Sequence, residues 1–184
     1  IRDLARRGVR GIRFFGLGIK NQATWLSSPR AMEAWELVSD LELVVEIEAP
    51  MSGGERLIPV IETMAGKYPR MPIVLDHVLM PDLREPDFGL ASEYAKLALY
   101  NNVHVKFTSL NMDVARELGY APDAFLRRVV DVFGANRVMW GSDIGTSSGT
   151  YPEMVARALA ATVGLDENER QKVLRDTGQR IFGP

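Results

Sequence analysis

Five short runs rich in β-branched and large apolar residues recur along the 184-residue chain, separated by stretches with helical periodicity. The runs cover residues 9–15, 43–49, 72–78, 102–109 and 137–143. Strands that alternate with helices are joined by crossover connections, which make neighbouring strands parallel. In most of the runs both alternating sets of side chains are apolar, as expected for a sheet covered on both faces. The pattern therefore predicts an α/β fold built on a parallel sheet.

Six stretches between and after these runs place their apolar residues on one helical stripe. They cover residues 30–41, 54–67, 90–100, 123–133, 151–162 and 166–177. Asp166 with Glu169 has the spacing of a capping box, and Asp123 after Pro122 is typical of a helix N-cap. No linker breaks the order, and a hydrophobic content of 46% is enough to bury one core. We therefore expect a single domain over residues 1–184.

The polar residues of the predicted strands gather toward the carboxyl ends of those strands. They are Arg13, Glu46, Glu48, Asp76, His77, Lys106, Thr108 and Asp143. In barrels and in doubly wound sheets alike, ligands bind at this edge of the sheet. The clustering predicts a ligand site there.

Asp143 ends the last apolar run and is followed by Gly145 and a polar loop, residues 146–151. An aspartate before a glycine can be a turn residue, but at a strand exit it can equally be a metal ligand or a general base. His77 can be a structural histidine whose ring nitrogens are occupied, or a partner of Asp143 at the same edge. Strand alternation puts His77 on the face of Leu75 and Asp76 on the opposite face.

Glu46 and Glu48 share one face of their strand, where an unpaired buried carboxylate would be strongly penalised. Arg13 on the preceding strand is a natural partner, so one of the two glutamates is expected to be structural. Lys106 either pairs with the other glutamate or binds a carboxylate of the substrate. His104, earlier in the strand of Lys106, is expected to be structural.

Charge and composition argue against several classes of protein. The 22 basic and 24 acidic residues give a net charge of -2 without a basic run, which disfavours nucleic acid or an anionic membrane as partner. The chain has no cysteine, so disulfides, thiolate catalysis and zinc–thiolate sites are excluded, and a cytoplasmic location is expected. No apolar run approaches the ~20 residues of a membrane span. Gly16 and Gly18 form a Gly-x-Gly pair without the third glycine of a dinucleotide fingerprint.

Several of these segments resemble one family. RVMWGSD (137–143) with its loop resembles the last barrel strand of amidohydrolase-related proteins, the TIM-barrel metal-dependent hydrolases that include lactonases and decarboxylases. PIVLDHV (72–78) resembles that family's strand with a histidine at its exit, and NVHVKFTSL (102–110) is similar to its penultimate strand. GVRGIRF (8–14) resembles its fourth strand, and VLRDTGQRIFG (173–183) its closing helix.

The resemblance implies a (β/α)8 TIM barrel of which strands four to eight are present. Because the His-x-His pair of that family's first strand is absent, we expect the N-terminal third of a longer parent to lie outside this chain. An open five-stranded sheet would favour association, so a homo-oligomer is also expected. The family's eighth-strand aspartate corresponds to Asp143, which would bind a metal or accept a proton from the attacking water. Its sixth-strand histidine corresponds to His77, which would assist the water or polarise the carbonyl.

The sequence departs from the family pattern in three places. The His-x-His pair of the first strand is absent, the fifth-strand histidine is replaced by Glu48, and Thr177-Gly178 stands where Asn-Ala is usual. The resemblance implies one divalent metal ion, zinc or manganese, held by Asp143, His77 and Glu48. Some lactonase branches of the family are thought to work without a metal.

The hypothesis from sequence is a hydrolase in which Asp143 activates water with the support of His77. The water attacks the carbonyl of a lactone, ester or amide. The substrate, a small carboxylate or lactone, would be held by Arg13, Lys106, Thr108, Ser147 and Tyr151. A decarboxylase on the same scaffold and a non-catalytic fragment or binding module remain alternatives.

Overall fold

A computed structural model of the chain describes residues 1–16, 24–49, 54–91 and 93–183, so Gly18 of the Gly-x-Gly pair lies outside the described residues. Its sheet has five parallel strands that lie side by side in chain order. They are β1 (Gly11–Phe15), β2 (Val44–Glu48), β3 (Ile73–Leu75), β4 (Val103–Thr108) and β5 (Val138–Gly141). A doubly wound sheet reverses its strand order at a switch point, whereas a barrel adds each strand beside the previous one. The order confirms the predicted α/β class and is that of a barrel segment.

Helices connect successive strands and close the chain. They are α1 (Arg2–Arg6), α2 (Pro29–Asp40), α3 (Ile58–Lys67), α4 (Glu93–Leu97), α5 (Ser109–Glu117), α6 (Pro122–Phe133), α7 (Tyr151–Ala161), α8 (Glu167–Gln171) and α9 (Thr177–Phe182). A π-helical turn, Lys172–Asp176, joins α8 to α9. None of the helices in the described ranges is long and apolar enough to cross a membrane.

The structure changes several predicted helix boundaries. The capping box of Asp166 and Glu169 is confirmed, but the predicted N-cap at Asp123 is wrong, because Ala121 caps α6 and Pro122 takes its first position. The helix predicted over 90–100 is reduced to Glu93–Leu97. Helix α5 was missed, since its capping box uses Thr108 with an asparagine at the third position instead of the usual Glu or Gln.

The two faces of the sheet differ in character. The outward face packs its apolar side chains, among them Ile47, Leu75 and Phe107, against the helices in one large buried cluster. On the inward face a smaller apolar cluster of Val44, Val74 and Met139 is covered by Ile181 and Phe182 of α9. Further along the same strands the inward face becomes charged. The apolar cluster therefore lies beneath the charged rim.

Strand β3 ends at Leu75, so the prediction of a strand reaching residue 78 is wrong at its carboxyl end. The four residues from His77 to Met80 all have positive φ, between 52° and 58°. Such left-handed backbone is unfavourable for residues with a Cβ, and rarely extends over several residues in a row. Its consequence is that His77 does not follow the strand alternation assumed from the sequence.

Helices α2 and α5 end in the same motif with different residues at the key position. After α2, Leu43 N–H donates to Val38 O and Glu42 N–H to Ser39 O, both at 3.1 Å. After α5, Tyr120 N–H donates to Ala115 O (2.8 Å) and Gly119 N–H to Arg116 O (2.9 Å). This is the Schellman motif, whose left-handed residue is usually glycine. Glu42 (φ 53°) and Gly119 (φ 81°) occupy that position.

We expect Glu42→Gly to stabilise the protein by about 1 kcal/mol, because glycine adopts left-handed backbone without the Cβ penalty. The matched substitution Gly119→Ala should destabilise it by a similar amount, since a Cβ there meets open space and only the backbone conformation is penalised. Urea unfolding of both variants measures the two effects. A loss of stability in Glu42→Gly would contradict the assignment of backbone strain to this position.

Candidate active site

The carboxyl ends of β1 to β4 bring together five ionisable side chains on the inward face. We call them the charged cluster: Arg13, Glu46, Glu48, Asp76 and Lys106. Arg13 donates Nη1–H to Glu48 Oε2 and Nη2–H to Glu46 Oε1, both at 2.8 Å. Lys106 Nζ contacts Glu46 Oε1 and lies 2.8 Å from Asp76 Oδ1. Arg13 Nη2 also lies 2.9 Å from Asp76 Oδ2, outside hydrogen-bonding geometry.

The cluster confirms the expected pairing of Arg13 with the glutamates and shows that Lys106 pairs as well. Both predicted substrate-binding cations are thus engaged with carboxylates. Arg13 differs from Lys106 in that its side chain is 46% exposed against 17%. Arg13 can therefore still reach a ligand at the rim, and Lys106 mainly compensates buried charge.

Glu46 and Asp76 shift each other's pKa in opposite directions. Burial raises the pKa of Asp76 to about 7, with the hydrogen bond to Glu46 adding to the shift. Burial also acts to raise the pKa of Glu46, but the hydrogen bonds from Asp76 and Lys106 prevail and lower it to about 2. Two carboxyls in contact cannot both ionise easily, so the more buried one retains the proton. At neutral pH, Asp76 is close to the midpoint of its titration.

His77 enters the site from the left-handed turn after β3. Its ring is buried, and Nδ1 lies 2.7 Å from the hydroxyl of Thr108 at the end of β4. Nε2 lies 4.0 Å from Glu48 Oε1. Burial lowers the pKa of His77, while the charges of Asp143 and Glu48 oppose that shift. Burial thus favours the neutral imidazole, and the charge of Asp143 acts on the ring.

Asp143 follows β5 in a tight turn with φ of 53°. Ser147 donates its hydroxyl to Asp143 Oδ2 at 2.8 Å, and the backbone N–H groups of Ser147 and Thr146 donate to the carbonyl of Asp143 at 3.0 and 3.2 Å. The loop after β5 thus folds back on the aspartate. Arg157 holds the next part of this loop, because it donates to Ser148 O and to Asp113 Oδ1, both at 2.6 Å.

The remaining predicted site residues occupy different surroundings. Thr108 is buried with its hydroxyl on His77, so the structure gives it a contact with the imidazole, and substrate binding by Thr108 stays a prediction. Tyr151 begins α7 with half of its surface exposed, and its ring lies 6.3 Å from that of Trp140. It makes no contact with the charged cluster among the described residues. His104 is buried deeper, and burial lowers its pKa to about 4, as expected for a structural histidine.

Sequence analysis placed Asp76 in the polar group at the carboxyl ends of the strands but gave it no role in the site. The alternation put it on the face opposite His77, and the catalytic roles went to His77 and Asp143. Asp76 continues the inward alternation of β3 from Val74, while the turn carries His77 to the same region. Asn111, on α5, was missed because nothing in its surroundings marks a polar site. The usable signal for Asp76 was its place on the face that also carries Glu46 and Glu48.

One group of possible metal ligands lies in the described residues. An oxygen of Glu48, an oxygen of Asp76 and a ring nitrogen of His77 lie within 4.8 Å of one another. The group contains two of the three ligands expected from sequence, with Asp76 beside them. Metal binding by Asp143 stays a prediction.

We expect Asp76→Asn to change how stability depends on pH. The folded pKa of Asp76, about 7, is above its ordinary 3.8, so the carboxyl favours folding while protonated, and that contribution is lost as the pH rises from about 4 through 7. Between pH 5 and pH 8 the variant should gain about 2–3 kcal/mol relative to wild type. Urea unfolding at both pH values measures this. Parallel pH profiles would contradict the shifted pKa, and Asp40→Asn, exposed at the end of α2, is the control.

Known proteins resemble the chain in sequence and in fold. The family model described as amidohydrolase matches residues 1–183. A segment of 96 residues is 36% identical to an L-fucono-1,5-lactonase of Burkholderia ambifaria, covering 48% of this chain and 31% of that protein. This match therefore spans less than a third of the relative's length.

Solved structures extend the likeness over almost the whole chain. A proposed 2-pyrone-4,6-dicarboxylic acid hydrolase from Pseudomonas putida is 27% identical with a TM-score of 0.76, over 99% of this chain and 66% of that one. An amidohydrolase from Burkholderia multivorans, solved with bound zinc, is 21% identical with a TM-score of 0.77, over 99% of this chain and 69% of that one. Decarboxylases are also among the structures with this fold. With a family match over nearly all of its length and a parallel sheet in barrel order, the chain belongs to the amidohydrolase family.

Proposed function

We propose that the chain carries the active-site rim of a hydrolase that opens lactones. The observation that carries the proposal is the environment of the His77 imidazole, whose neutral form is favoured by burial. Its Nδ1 is held by Thr108, and its Nε2 lies 4.0 Å from Glu48. The charge of Asp143 acts on the same ring. These groups suit the activation of water beside a carbonyl carbon. The lactonase relative supports a cyclic ester as substrate. The 2-pyrone of the second relative's name is also a cyclic ester.

In the proposed mechanism Asp143 accepts the proton of the attacking water. Ser147 donates to one carboxylate oxygen and so orients the other. The neutral ring of His77 accepts a hydrogen bond from the same water and fixes its direction of attack. The new C–O bond forms at the carbonyl carbon, the ring C–O bond breaks, and the leaving oxygen takes up the proton.

Arg13 is the cation best placed to meet the substrate. Its guanidinium is held by Glu46 and Glu48 yet remains half exposed. Fixed donors aimed at developing negative charge are a major source of catalysis in acyl transfer. Arg13 would bind the substrate's carboxylate or the oxyanion formed at its carbonyl.

The donor set fits a divalent ion in its chemistry. Glu48 Oε1 and His77 Nε2 lie 4.0 Å apart, and carboxylate oxygen and imidazole nitrogen are both ligands that zinc accepts. With an ion bound, Nε2 would hold the ion in place of the hydrogen bond from the water. The oxygens of Asp76 lie against Arg13 and Lys106. Glu48 and His77 would therefore hold the ion. A bound zinc or manganese ion would polarise the carbonyl and lower the pKa of a bound water.

We expect Asp143→Asn to lower kcat/KM for hydrolysis of an aldono-lactone at least about 100-fold, because a general base contributes that much or more. Acid release is measured by pH-stat. Asp40→Asn is the matched control, since it removes an exposed aspartate at the end of α2. Circular dichroism and thermal unfolding show whether each variant remains folded. Unchanged turnover in a folded Asp143→Asn variant would remove Asp143 from the mechanism.

The same assay separates the alternatives. A lactonase releases one acid equivalent per turnover and no CO2. Release of CO2 from a carboxylated aromatic acid, without lactone opening, would replace the proposal with a decarboxylase. Absence of both reactions over a panel of aldono-lactones and pyrone carboxylates would favour a binding module.

We expect zinc to stabilise the protein through Glu48 and His77. At a free concentration of 100 times its Kd, a ligand that binds only the folded state adds about 2.7 kcal/mol. Glu48→Gln and His77→Gln should remove that gain, while Glu36→Gln on the exposed side of α2 retains it. Thermal unfolding with and without zinc measures the effect. Equal stabilisation of wild type and Glu48→Gln would contradict this site.

A further inference from the structure

We infer that Thr108 and Asn111 form a relay that fixes the tautomer of His77, with the proton on Nδ1 and a free lone pair on Nε2. The catalytic consequence rests on the proposed function, but the tautomer itself follows from hydrogen bonds alone. All three side chains are almost fully buried, with exposures of 5% for His77, 1% for Thr108 and 3% for Asn111. Water therefore has little access to alter the network.

The side-chain amide of Asn111 is held at both ends. Its Nδ2 donates to the carbonyl of His77 at 3.0 Å, and its Oδ1 accepts the backbone N–H of Thr108 at 2.9 Å. Rotating the amide by half a turn would set its NH2 against an N–H and its oxygen against a carbonyl. Oδ1 is thus fixed toward Thr108, and a carbonyl oxygen only accepts hydrogen bonds.

The hydroxyl of Thr108 lies between two possible acceptors and has one proton. Oγ1 is 3.2 Å from Asn111 Oδ1 and 2.7 Å from His77 Nδ1. If the proton pointed to the imidazole, two lone-pair-bearing oxygens would face each other in a buried space, which is penalised. If it points to Asn111, the hydroxyl accepts Nδ1–H, and the contacts among Thr108, Asn111 and Nδ1 are all satisfied. The second arrangement places the imidazole proton on Nδ1.

The relay opposes the carboxylates on the other side of the ring. Glu48 Oε1 lies 4.0 Å from Nε2, and the charges of Asp143 and Glu48 both favour a positive ring. Without Thr108 these charges would draw the single proton to Nε2. When Thr108 holds the ring, the lone pair of Nε2 faces the same space as the carboxylates. The imidazole then accepts a hydrogen bond from a bound water and does not donate one to it. Thr108 and Asn111 are then positioning residues for the water-activating imidazole.

The nitrogen shifts of the imidazole test the tautomer directly. In protein labelled with 15N-histidine, a long-range 1H–15N spectrum near pH 8 distinguishes protonated from unprotonated ring nitrogens, and His77→Gln identifies the signals of residue 77. We expect a protonated Nδ1 and an unprotonated Nε2 in wild type, and the same in Thr108→Ser, which retains the hydroxyl. Thr108→Val should move the proton to Nε2. A wild-type spectrum with the proton of residue 77 on Nε2 would overturn the relay.

Kinetics test the catalytic consequence separately. Thr108→Val should lower kcat for lactone opening about 10- to 100-fold with little change in KM, and Thr108→Ser should restore most of it. A wild-type Nδ1–H tautomer without lactone hydrolysis would refute the proposed function and keep the relay. Lactone hydrolysis with an Nε2–H tautomer would refute the relay and keep the function.

Discussion

The arrangement of the rim depends on the mutual compensation of charges on the inward face of the sheet. Three carboxylates and two cations lie at the ends of β1 to β4, and burying any of them alone would cost several kcal/mol. Arg13 on β1 pairs with Glu46 on β2 and with Asp76 after β3. Lys106 on β4 contacts the same two carboxyl groups. In other proteins, removing one partner of such a pair costs about 3–5 kcal/mol, because the other charge is left buried. The cluster therefore fixes the relative positions of four strand ends on which the site is built.

The left-handed turn after β3 is the second constraint. Residues 77–80 adopt backbone that costs on the order of 1–2 kcal/mol per residue, and such strain persists only where the surroundings enforce it. Val78 and Leu79 are fully buried, Asn111 donates to the carbonyl of His77, and Tyr94 donates its hydroxyl to the carbonyl of Leu79. Had the strand continued, His77 would point toward the helices with Leu75. The turn instead brings the imidazole beside Thr108 and Glu48.

The sequence was sufficient for the elements whose signals are local and periodic. The five strands follow from the apolar runs, and their barrel order follows from the family resemblance. The pairing of Arg13 with the glutamates follows from the cost of a lone buried charge. The end of β3 was not predictable, since DHVL contains no glycine or proline to mark a left-handed turn. That error put His77 on the wrong face, whereas Asp76 keeps the face that the alternation predicted. Likewise, the contact between Thr108 and His77 joins residues 31 positions apart and depends on the packing of α5 against the turn.

The two aspartates of the site, Asp76 and Asp143, lie in different environments, which indicates different roles for them. Asp76 is 1% exposed, and burial together with its interaction with Glu46 raises its pKa to about 7. A carboxyl with those partners is part of the electrostatic frame and has no free face for a substrate. Asp143 is only partly buried. Ser147 donates its hydroxyl to one of the two carboxylate oxygens of Asp143. When two carboxyls differ in this way, the accessible one is suited to accept a proton from water and the buried one to hold the neighbouring charges in place.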